Sequence, residues 1–273
     1  MARLTSRCRV SRFTAEGADG PHHADLVIVE EPLEIRIDGI PFQVTMRTPG
    51  HDIDLVHGLL LAEGVISGRL DVSSARYCAG TGPDGLNTYN VLDISLADGV
   101  AAPDPGLSRN VLTTSACGVC GTQSVETVLA RTERLTARTT IPAARIIAAI
   151  EALPRSQELF ARTGGVHAVG LIDGSGSPVC VREDVGRHNA ADKVVGWAVR
   201  EERLPLTGHV MVVSARASFE LVHKAVVAGA EVLAAVSAPT SLAIELAEEA
   251  GLTLAGFVRG GVMNVYTHAD RLV

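Results

Sequence analysis

The C-terminal part of the chain alternates short apolar runs with longer segments of helical spacing, and this alternation restricts the fold most. From His167 onward the runs that read as strands are VHAVGLID, HVMVVSA, VLAAVSAP and LTLAGFV. Between them lie SFELVHKAVVAG, TSLAIELAEEAG and REDVGRHNAADKVVGWAVREE, the last read as a polar loop that leads into a helix. Strands separated by helices form parallel sheets, and the nearly continuous apolar run HVMVVSA suits burial on both faces. We therefore predict an α/β fold with a mostly parallel sheet covered by helices.

The first half of the chain has a different pattern, which predicts an α+β unit. LVIVE and EPLEIRIDG read as strands, and Asp38-Gly39 is typical of a hairpin turn. DLVHGLLLAEG has helical spacing and ends at Gly64. Two further strands are predicted at Ala75–Cys78 and Thr88–Ser95.

These patterns divide the chain into four predicted parts. Residues 1–20 are expected to form a flexible, solvated tail rather than a binding arm. The tail has no acidic residue in its first dozen positions but carries Arg3, Arg7, Arg9 and Arg12. Residues 21–112 are predicted to form the α+β N-terminal domain, 113–140 a cysteine loop with a connecting helix, and 141–273 the α/β domain.

Charge and hydropathy argue against several classes of protein. The net charge of −7 disfavours general nucleic-acid binding, which requires a basic face that neutralises phosphates. The N-terminal arginines are not followed by the apolar segment of a signal peptide, and no apolar run approaches the roughly 18 residues of a membrane span. We expect a soluble, cytoplasmic protein without nucleic-acid or membrane partners.

Two cysteines in the segment TTSACGVCG are the strongest candidates for chemistry. Cys117 and Cys120 have the C-x-x-C spacing that zinc sites, redox dithiols and sulfur carriers share. Zinc needs about four ligands, and no second C-x-x-C is present. Small and polar flanking residues favour an exposed nucleophilic thiolate over a redox dithiol at a helix start, although a purely structural turn remains an alternative. Cys78 and Cys180 lie in apolar surroundings and are expected to be inert.

Three strands of the predicted α/β domain end in short segments rich in Ser, Thr, Arg and Gly. These segments are 214–218, 237–241 and 257–261. Because ligands bind beyond the carboxyl ends of strands in such sheets, the segments predict a site for an anionic, nucleotide-like ligand. Arg216 and Arg259 offer forked donors for a phosphate or a guanine edge. Taken singly, Ser218 and Thr240 are better interpreted as helix N-caps, and no P-loop motif is present.

The polar stretch from Arg182 to Asn189 is dense in functional side chains. Asp184 as a helix cap accounts for part of it. His188 and Asn189 indicate either a ligand contact or a domain interface. His167 is a weaker candidate, since a buried histidine with satisfied hydrogen bonds explains it equally well.

The chain resembles the FdhD family of formate dehydrogenase accessory sulfurtransferases. The matching segments are EEPLEIRIDG, MRTPGHD, SACGVCG, TGGVHAVGL, REDVGRHNAADK, SFELVHKAVVAGA, AVSAPTSLAIELA and GFVRGGVMNVYT, in order from residue 30 to residue 267. The resemblance implies a homodimeric carrier that accepts sulfur as a cysteine persulfide from a cysteine desulfurase. The carrier passes this sulfur to the bis-guanine-dinucleotide molybdenum (or tungsten) cofactor of formate dehydrogenase. It also implies a cytidine-deaminase-like three-layer fold for the second domain.

The resemblance assigns roles to particular residues. Cys117 matches the persulfide cysteine of the family and Cys120 its partner, while Phe257–Val262 match the cofactor-binding stretch. Together with the strand-end argument, the predicted cofactor-binding residues are Ser214, Arg216, Ser237, Thr240, His188, Asn189, Phe257, Val258, Arg259, Gly260, Gly261 and Val262. No resident metal is predicted.

Several residues depart from related patterns. Deaminase chemistry requires H-x-E and P-C-x-x-C around zinc, but His167 is followed by Ala168-Val169 and Cys117 is preceded by Ala116. Ala215 stands where the family commonly has Gly, and we expect its methyl group to crowd a ligand that approaches the backbone. Val262 stands where a second Arg is common. Two alternatives remain: a chaperone that binds the cofactor without sulfur chemistry, and a structural zinc protein.

Overall fold

The N-terminal segment forms a paired ribbon in the computed structural model. The structure describes residues 3–18, 20, 22–78, 88–103, 134–135 and 140–273. Strand β1 (Thr5–Val10) pairs antiparallel with β4 (His23–Ile28), and between them β2 (Phe13–Thr14) pairs with β3 (Gly17–Ala18). The expectation of a flexible tail is therefore wrong for Thr5–Val10, because this segment forms a strand that pairs with β4.

A four-stranded sheet follows the ribbon. It consists of β5 (Glu31–Ile37), β6 (Ile40–Arg47), β7 (Val72–Tyr77) and β8 (Val91–Leu96), in the order β6-β5-β8-β7. Strands β5 and β8 are parallel, and the other pairs are antiparallel. The hairpin turn predicted between β5 and β6 is confirmed: Asp38 and Gly39 both have positive φ, at 50° and 78°, as a two-residue type I′ turn requires.

Helix α1 (Asp52–Ala62) leaves this sheet and packs on the second half of the chain. It ends two residues before Gly64, whose φ of 71° lies in the left-handed region that commonly terminates helices. The predicted helix and its stop signal are both confirmed.

The second half contains five described helices and a six-stranded sheet. The helices are α2 (Ala143–Ala152), α3 (Glu158–Thr163), α4 (Arg187–Arg200), α5 (Phe219–Val227) and α6 (Ser241–Ala250). The strands are β9 (His167–Ile172), β10 (Pro178–Asp184), β11 (Val210–Val213), β12 (Val232–Ala235), β13 (Thr253–Arg259) and β14 (Val262–Val265). The predicted α/β architecture is confirmed.

The sheet has the order β10-β9-β11-β12-β13-β14. Strands β11, β12 and β13 are parallel, whereas the pairs β10/β9, β9/β11 and β13/β14 are antiparallel. The sheet is thus parallel at its centre and antiparallel towards both edges, a more even mixture than the mostly parallel sheet that we predict from the helix spacing. The hairpins β9–β10 and β13–β14 account for the difference, because strands joined by a short turn must run antiparallel.

The polar stretch predicted as a loop begins as strand β10. Arg182, Glu183 and Asp184 pair with β9, so their side chains alternate between the two faces of the sheet. Glu183 accepts hydrogen bonds from the amides of Leu159 and Phe160 at the start of α3. Arg182 and Asp184 point to the opposite face, towards α1 and the N-terminal sheet.

Buried side chains cover both faces of the six-stranded sheet. Met211 and Val213 belong to one apolar cluster and Val210 and Val212 to another, which confirms that this strand is buried on both faces. The first cluster includes α1, α4, α5 and α6 and continues into the N-terminal sheet. The second lies under α2. Helix α1 therefore shares one apolar core with the second half of the chain.

Candidate functional site

The predicted ligand-binding residues lie along one edge of the six-stranded sheet. Strands β11, β12 and β13 end at this edge, and α5 and α6 begin beyond it. Because β9 and β14 run in the opposite direction, they start at the same edge, with His167 and Val262. The structure therefore brings the three strand-end segments and the start of α4 to one side of the molecule.

Backbone hydrogen bonds hold the strand ends together. The amide of Ala168 donates to Oγ of Ser214 over 2.8 Å, and the amide of Ser214 donates to the carbonyl of Ala168 over 3.0 Å. The amide of Phe257 donates to the carbonyl of Ser237 over 3.2 Å. The hydroxyl of Ser214 is thus used to fix the start of β9 against the end of β11.

Arg216 and Arg259 project from the ends of β11 and β13. Both side chains are exposed, and within the described residues neither forms an ion pair. One strand, β12, lies between them, which separates the strand ends by about 10 Å. Two forked cations that project from the same edge of the sheet can engage separate phosphate groups of one ligand.

The hairpin between β13 and β14 has unusual backbone angles. Phe257 has a φ of 53°, and Gly260 and Gly261 have φ of 58° and 77°. Positive φ strains an aromatic residue, and such strain is concentrated at functional sites. Phe257 is also 39% exposed, whereas Val258 is 1% exposed and belongs to the core beneath α2. The structure thus places Phe257, but not the side chain of Val258, on the open edge.

The two predicted N-caps behave differently. Oγ1 of Thr240 accepts a hydrogen bond from the amide of Ala243 and caps α6, which confirms the N-cap interpretation for Thr240. Ser218 precedes α5 but makes no side-chain cap. Its hydroxyl lies 3.3 Å from Nε2 of His188.

His188, at the start of α4, pairs with an acid that no sequence motif indicates. Its Nε2 lies 3.2 Å from Oε2 of Glu220. The hydrogen bond from His188 is the main cause that lowers the pKa of Glu220 to about 2. In the sequence, Glu220 reads only as an acid that complements the dipole of α5, because its partner lies 32 positions earlier in the chain.

Two further polar groups lie near His188. Burial, together with the charges of Arg187 and His188, lowers the pKa of His167. Nε of Arg187 is buried and has no hydrogen-bond partner among the described residues. This end of the sheet therefore combines positive charge with a buried hydrogen-bond donor that lacks an acceptor within the described part of the chain.

Asn189 faces away from the open edge. It is 9% exposed, and its Nδ2 donates to the carbonyl of Met46 and to Oδ1 of Asp184. Its Oδ1 accepts from the hydroxyl of Thr45. Of the two interpretations left open for Asn189, the structure supports an interface between the two halves of the chain.

Asp184 is a buried ion-pair partner rather than the predicted helix cap. Helix α4 has Gly186 at its N-cap position. Asp184 and Lys193 are fully buried and lie 2.7 Å apart. Asp184 also accepts from the amide of Thr48, and Lys193 donates to the carbonyl of Thr48. The pair therefore joins α4 to the N-terminal half directly beneath the site.

The two residues that depart from the family pattern have different environments. Ala215 is 7% exposed and Val262 is 66% exposed. The methyl group of Ala215 is therefore buried in the protein, and the structure does not place it on the open edge. Val262 presents an apolar surface at the start of β14.

Cys117 and Cys120 lie outside the described residues. Two further cysteines, Cys78 and Cys180, are predicted to be inert. Cys180 is buried, and burial raises the pKa of its thiol to about 11, so it is a poor nucleophile. Cys78 is partly buried.

The described part of the chain contains no cluster of three or more His, Cys, Asp or Glu side chains that could hold a metal ion. None of its helices has the length and apolarity needed to cross a membrane.

Comparisons with known proteins agree with the fold and with the sequence motifs. Residues 28–273 match the model of the FdhD/NarQ family. The chain is 56% identical to sulfur carrier protein FdhD of Nocardia farcinica over 99% of this chain and 95% of that protein. It is 52% identical to the protein of the same name from Mycolicibacterium paratuberculosis over 98% and 99% of the two chains. A crystal structure from Desulfotalea psychrophila, described as a formate dehydrogenase accessory protein, superimposes with a TM-score of 0.77 at 22% identity, covering 99% of this chain and all of that one.

Proposed function

The chain belongs to the FdhD/NarQ family, and on this basis we propose that it is a sulfur carrier whose acceptor is a molybdenum cofactor. Cys117 takes sulfur as a persulfide from a cysteine desulfurase. The sulfur then passes to the bis-guanine-dinucleotide molybdenum or tungsten cofactor that formate dehydrogenase requires. The carrier works in the cytoplasm as a homodimer.

One observation carries this proposal: a cysteine pair within a chain that is similar over nearly its whole length to proteins named sulfur carriers. In the first step, the thiolate of Cys117 attacks the outer sulfur of the persulfide on the donor. A new sulfur–sulfur bond forms on Cys117 as the bond within the donor persulfide breaks, and the donor cysteine leaves as a thiolate. The exchange is balanced, because no oxidant or reductant is consumed.

The open sheet edge supports the second half of the proposal. The cofactor is the substrate of the transfer, and each of its dinucleotide arms carries phosphates and a guanine. Exposed Arg216 and Arg259 and the strained, exposed Phe257 offer charge, hydrogen bonds and an aromatic face. These groups suit a phosphate-linked guanine better than an apolar ligand.

Mass spectrometry of the intact protein tests the sulfur step. After incubation with cysteine and a cysteine desulfurase, the wild-type chain should gain about 32 Da, one sulfur atom, and lose it on reduction. Peptide mapping should place the added sulfur on Cys117, and Cys117→Ala should gain none. Cys180→Ala is the matched control, because its buried thiol should not contribute. No gain in the wild type, or an unchanged gain in Cys117→Ala, would refute the proposal.

A second function, cofactor binding without sulfur chemistry, is separated by a genetic test. A strain lacking its own copy of the gene would be supplied with the double variant Cys117→Ala/Cys120→Ala. If the protein is a sulfur carrier, formate dehydrogenase in this strain should be inactive. If the protein is a chaperone that only binds the cofactor, formate dehydrogenase should be fully active. The corresponding single variants measure the separate contribution of Cys120.

A further inference from the structure

A carboxylate occupies the turn between β13 and β14. The amide of Gly261 donates a hydrogen bond to Oε1 of Glu151 over 3.0 Å. Glu151 is exposed and lies in the last turn of α2, 110 positions before Gly261. In the sequence, Glu151 is only a polar position on an amphipathic helix, and no motif contains it.

The geometry of the turn makes this amide available. Arg259 pairs with Val262, and the two residues between them, Gly260 and Gly261, both have positive φ. In a two-residue turn of this kind the strand hydrogen bonds are made by the flanking residues, so the amide of the second turn residue points outwards. Outward amides of glycine turns are common phosphate-binding groups. The carboxylate of Glu151 therefore uses a donor that would suit a phosphate.

The charges around the turn strengthen this interpretation. Exposed Arg259 is next to the turn, yet within the described residues it forms no ion pair with Glu151. Glu151 instead bonds a neutral backbone group. A phosphate attracted to the turn by Arg259 would meet the negative charge of Glu151 there.

We propose that Glu151 is a built-in competitor of the ligand phosphate. It occupies the amide of Gly261 in the free protein and must leave this amide when a phosphate binds. The inference rests on the cofactor-binding part of the proposed function. Its consequence is a weaker, reversible hold on the cofactor, which suits a carrier that must release its substrate after sulfur transfer.

Binding of guanosine diphosphate to the full-length protein, measured by isothermal titration calorimetry, tests this role. Glu151→Gln keeps a side-chain oxygen that can accept from Gly261 but removes the charge. We expect it to bind the nucleotide at least about threefold more tightly than the wild type, because one like charge near the phosphate is removed. Glu249→Gln is the matched control and should bind like the wild type. Glu249 is also an exposed glutamate, but α6 places it beside the opposite end of β13.

A second variant distinguishes competition between Glu151 and the ligand phosphate from bracing, in which Glu151 only stabilises the turn between β13 and β14. Glu151→Ala removes both the charge and the acceptor. Competition predicts tighter binding for both variants, whereas bracing predicts unchanged binding for Glu151→Gln and weaker binding for Glu151→Ala. The bracing result would overturn the inference.

The outcomes also separate this inference from the proposed function. If wild type and Glu151→Gln bind guanosine diphosphate equally, the role of Glu151 is refuted and the cofactor site stands. If no variant binds it, the inference and the cofactor site fail together. The persulfide on Cys117 is measured independently in each case.

Discussion

Gly58 and Gly196 meet where α1 crosses α4, and neither position has room for a side chain. A Cβ atom on Gly58 would lie 2.1 Å from the carbonyl oxygen of Asp192, and one on Gly196 would lie 1.7 Å from that of Asp54. Both contacts are with backbone, which cannot yield without separating the helices. The two glycines thus set the distance between the N-terminal half and the helix whose first turn carries His188.

Gly196→Ala should therefore destabilise the protein strongly. We expect a loss of about 3 kcal/mol or more in the free energy of unfolding, at the upper end of overpacking effects. Gly68→Ala is the matched control, since its Cβ would meet no atom within 4 Å, and it should change the value by less than about 0.5 kcal/mol. Urea unfolding midpoints measure both variants, and equal midpoints would contradict the close crossing.

Replacing Lys193 by Met should leave the carboxylate of Asp184 buried without its cation. Both side chains are fully buried, and breaking such a pair costs about 3–5 kcal/mol. The double variant Asp184→Asn/Lys193→Met should recover part of this loss, because no charge remains unpaired. Chemical unfolding of the two single variants and the double variant forms a mutant cycle. Additive losses would show that the pair is not energetically coupled.

His223 should make the protein less stable at mildly acidic pH. Burial, aided by the charge of Lys224, lowers the pKa of His223 from 6.5 to about 4. Between these values the unfolded chain binds a proton that the folded chain does not, so stability falls as the pH is lowered from 6.5 to about 4. The contribution is no more than about 3 kcal/mol.

Thermal unfolding across this pH range tests the contribution of His223. His223→Gln should show a flatter dependence of the melting temperature on pH than the wild type. His23→Gln serves as the control, because His23 is exposed on the ribbon, and its profile should follow that of the wild type. A wild-type profile in His223→Gln would assign the acid sensitivity to other groups.

Arg216→Ala and Arg259→Ala should each weaken the binding of guanosine diphosphate. A hydrogen bond to a charged group contributes about 1.5–3 kcal/mol, so each loss should lower the affinity about tenfold or more. Arg69→Ala is the control, since Arg69 is also exposed but pairs with Glu202 beyond the far end of α4. Calorimetry that gives the same affinity for all three variants would place the ligand elsewhere.

Local patterns predicted those elements whose hydrogen bonds are made within a few residues. The turn at Asp38-Gly39, the stop of α1 before Gly64 and the cap at Thr240 follow from the conformational preferences of single residues. The burial of β11 on both faces follows from its continuous apolar run. In each case the physical cause lies inside the segment that shows the pattern.

The sequence-based predictions were wrong where pairing between distant segments decides the secondary structure. Thr5–Val10 is too polar to predict a buried strand, but β4 provides its hydrogen bonds. Arg182–Asp184 read as a loop because polar residues dominate, although β9 pairs with them and turns Glu183 and Asp184 to opposite faces.

The sequence by itself determined the cysteine pair, the family motifs and the alternation of strands and helices from β11 to β13, since these depend on residue identity and local periodicity. Tertiary structure alone decided which polar groups meet: His188 with Glu220, Asp184 with Lys193 and Thr48, and Glu151 with Gly261. The physical reason is that strand order and helix crossing set these contacts between distant parts of the chain. Periodicity fixes the face on which a side chain lies but not the partner that packs against that face.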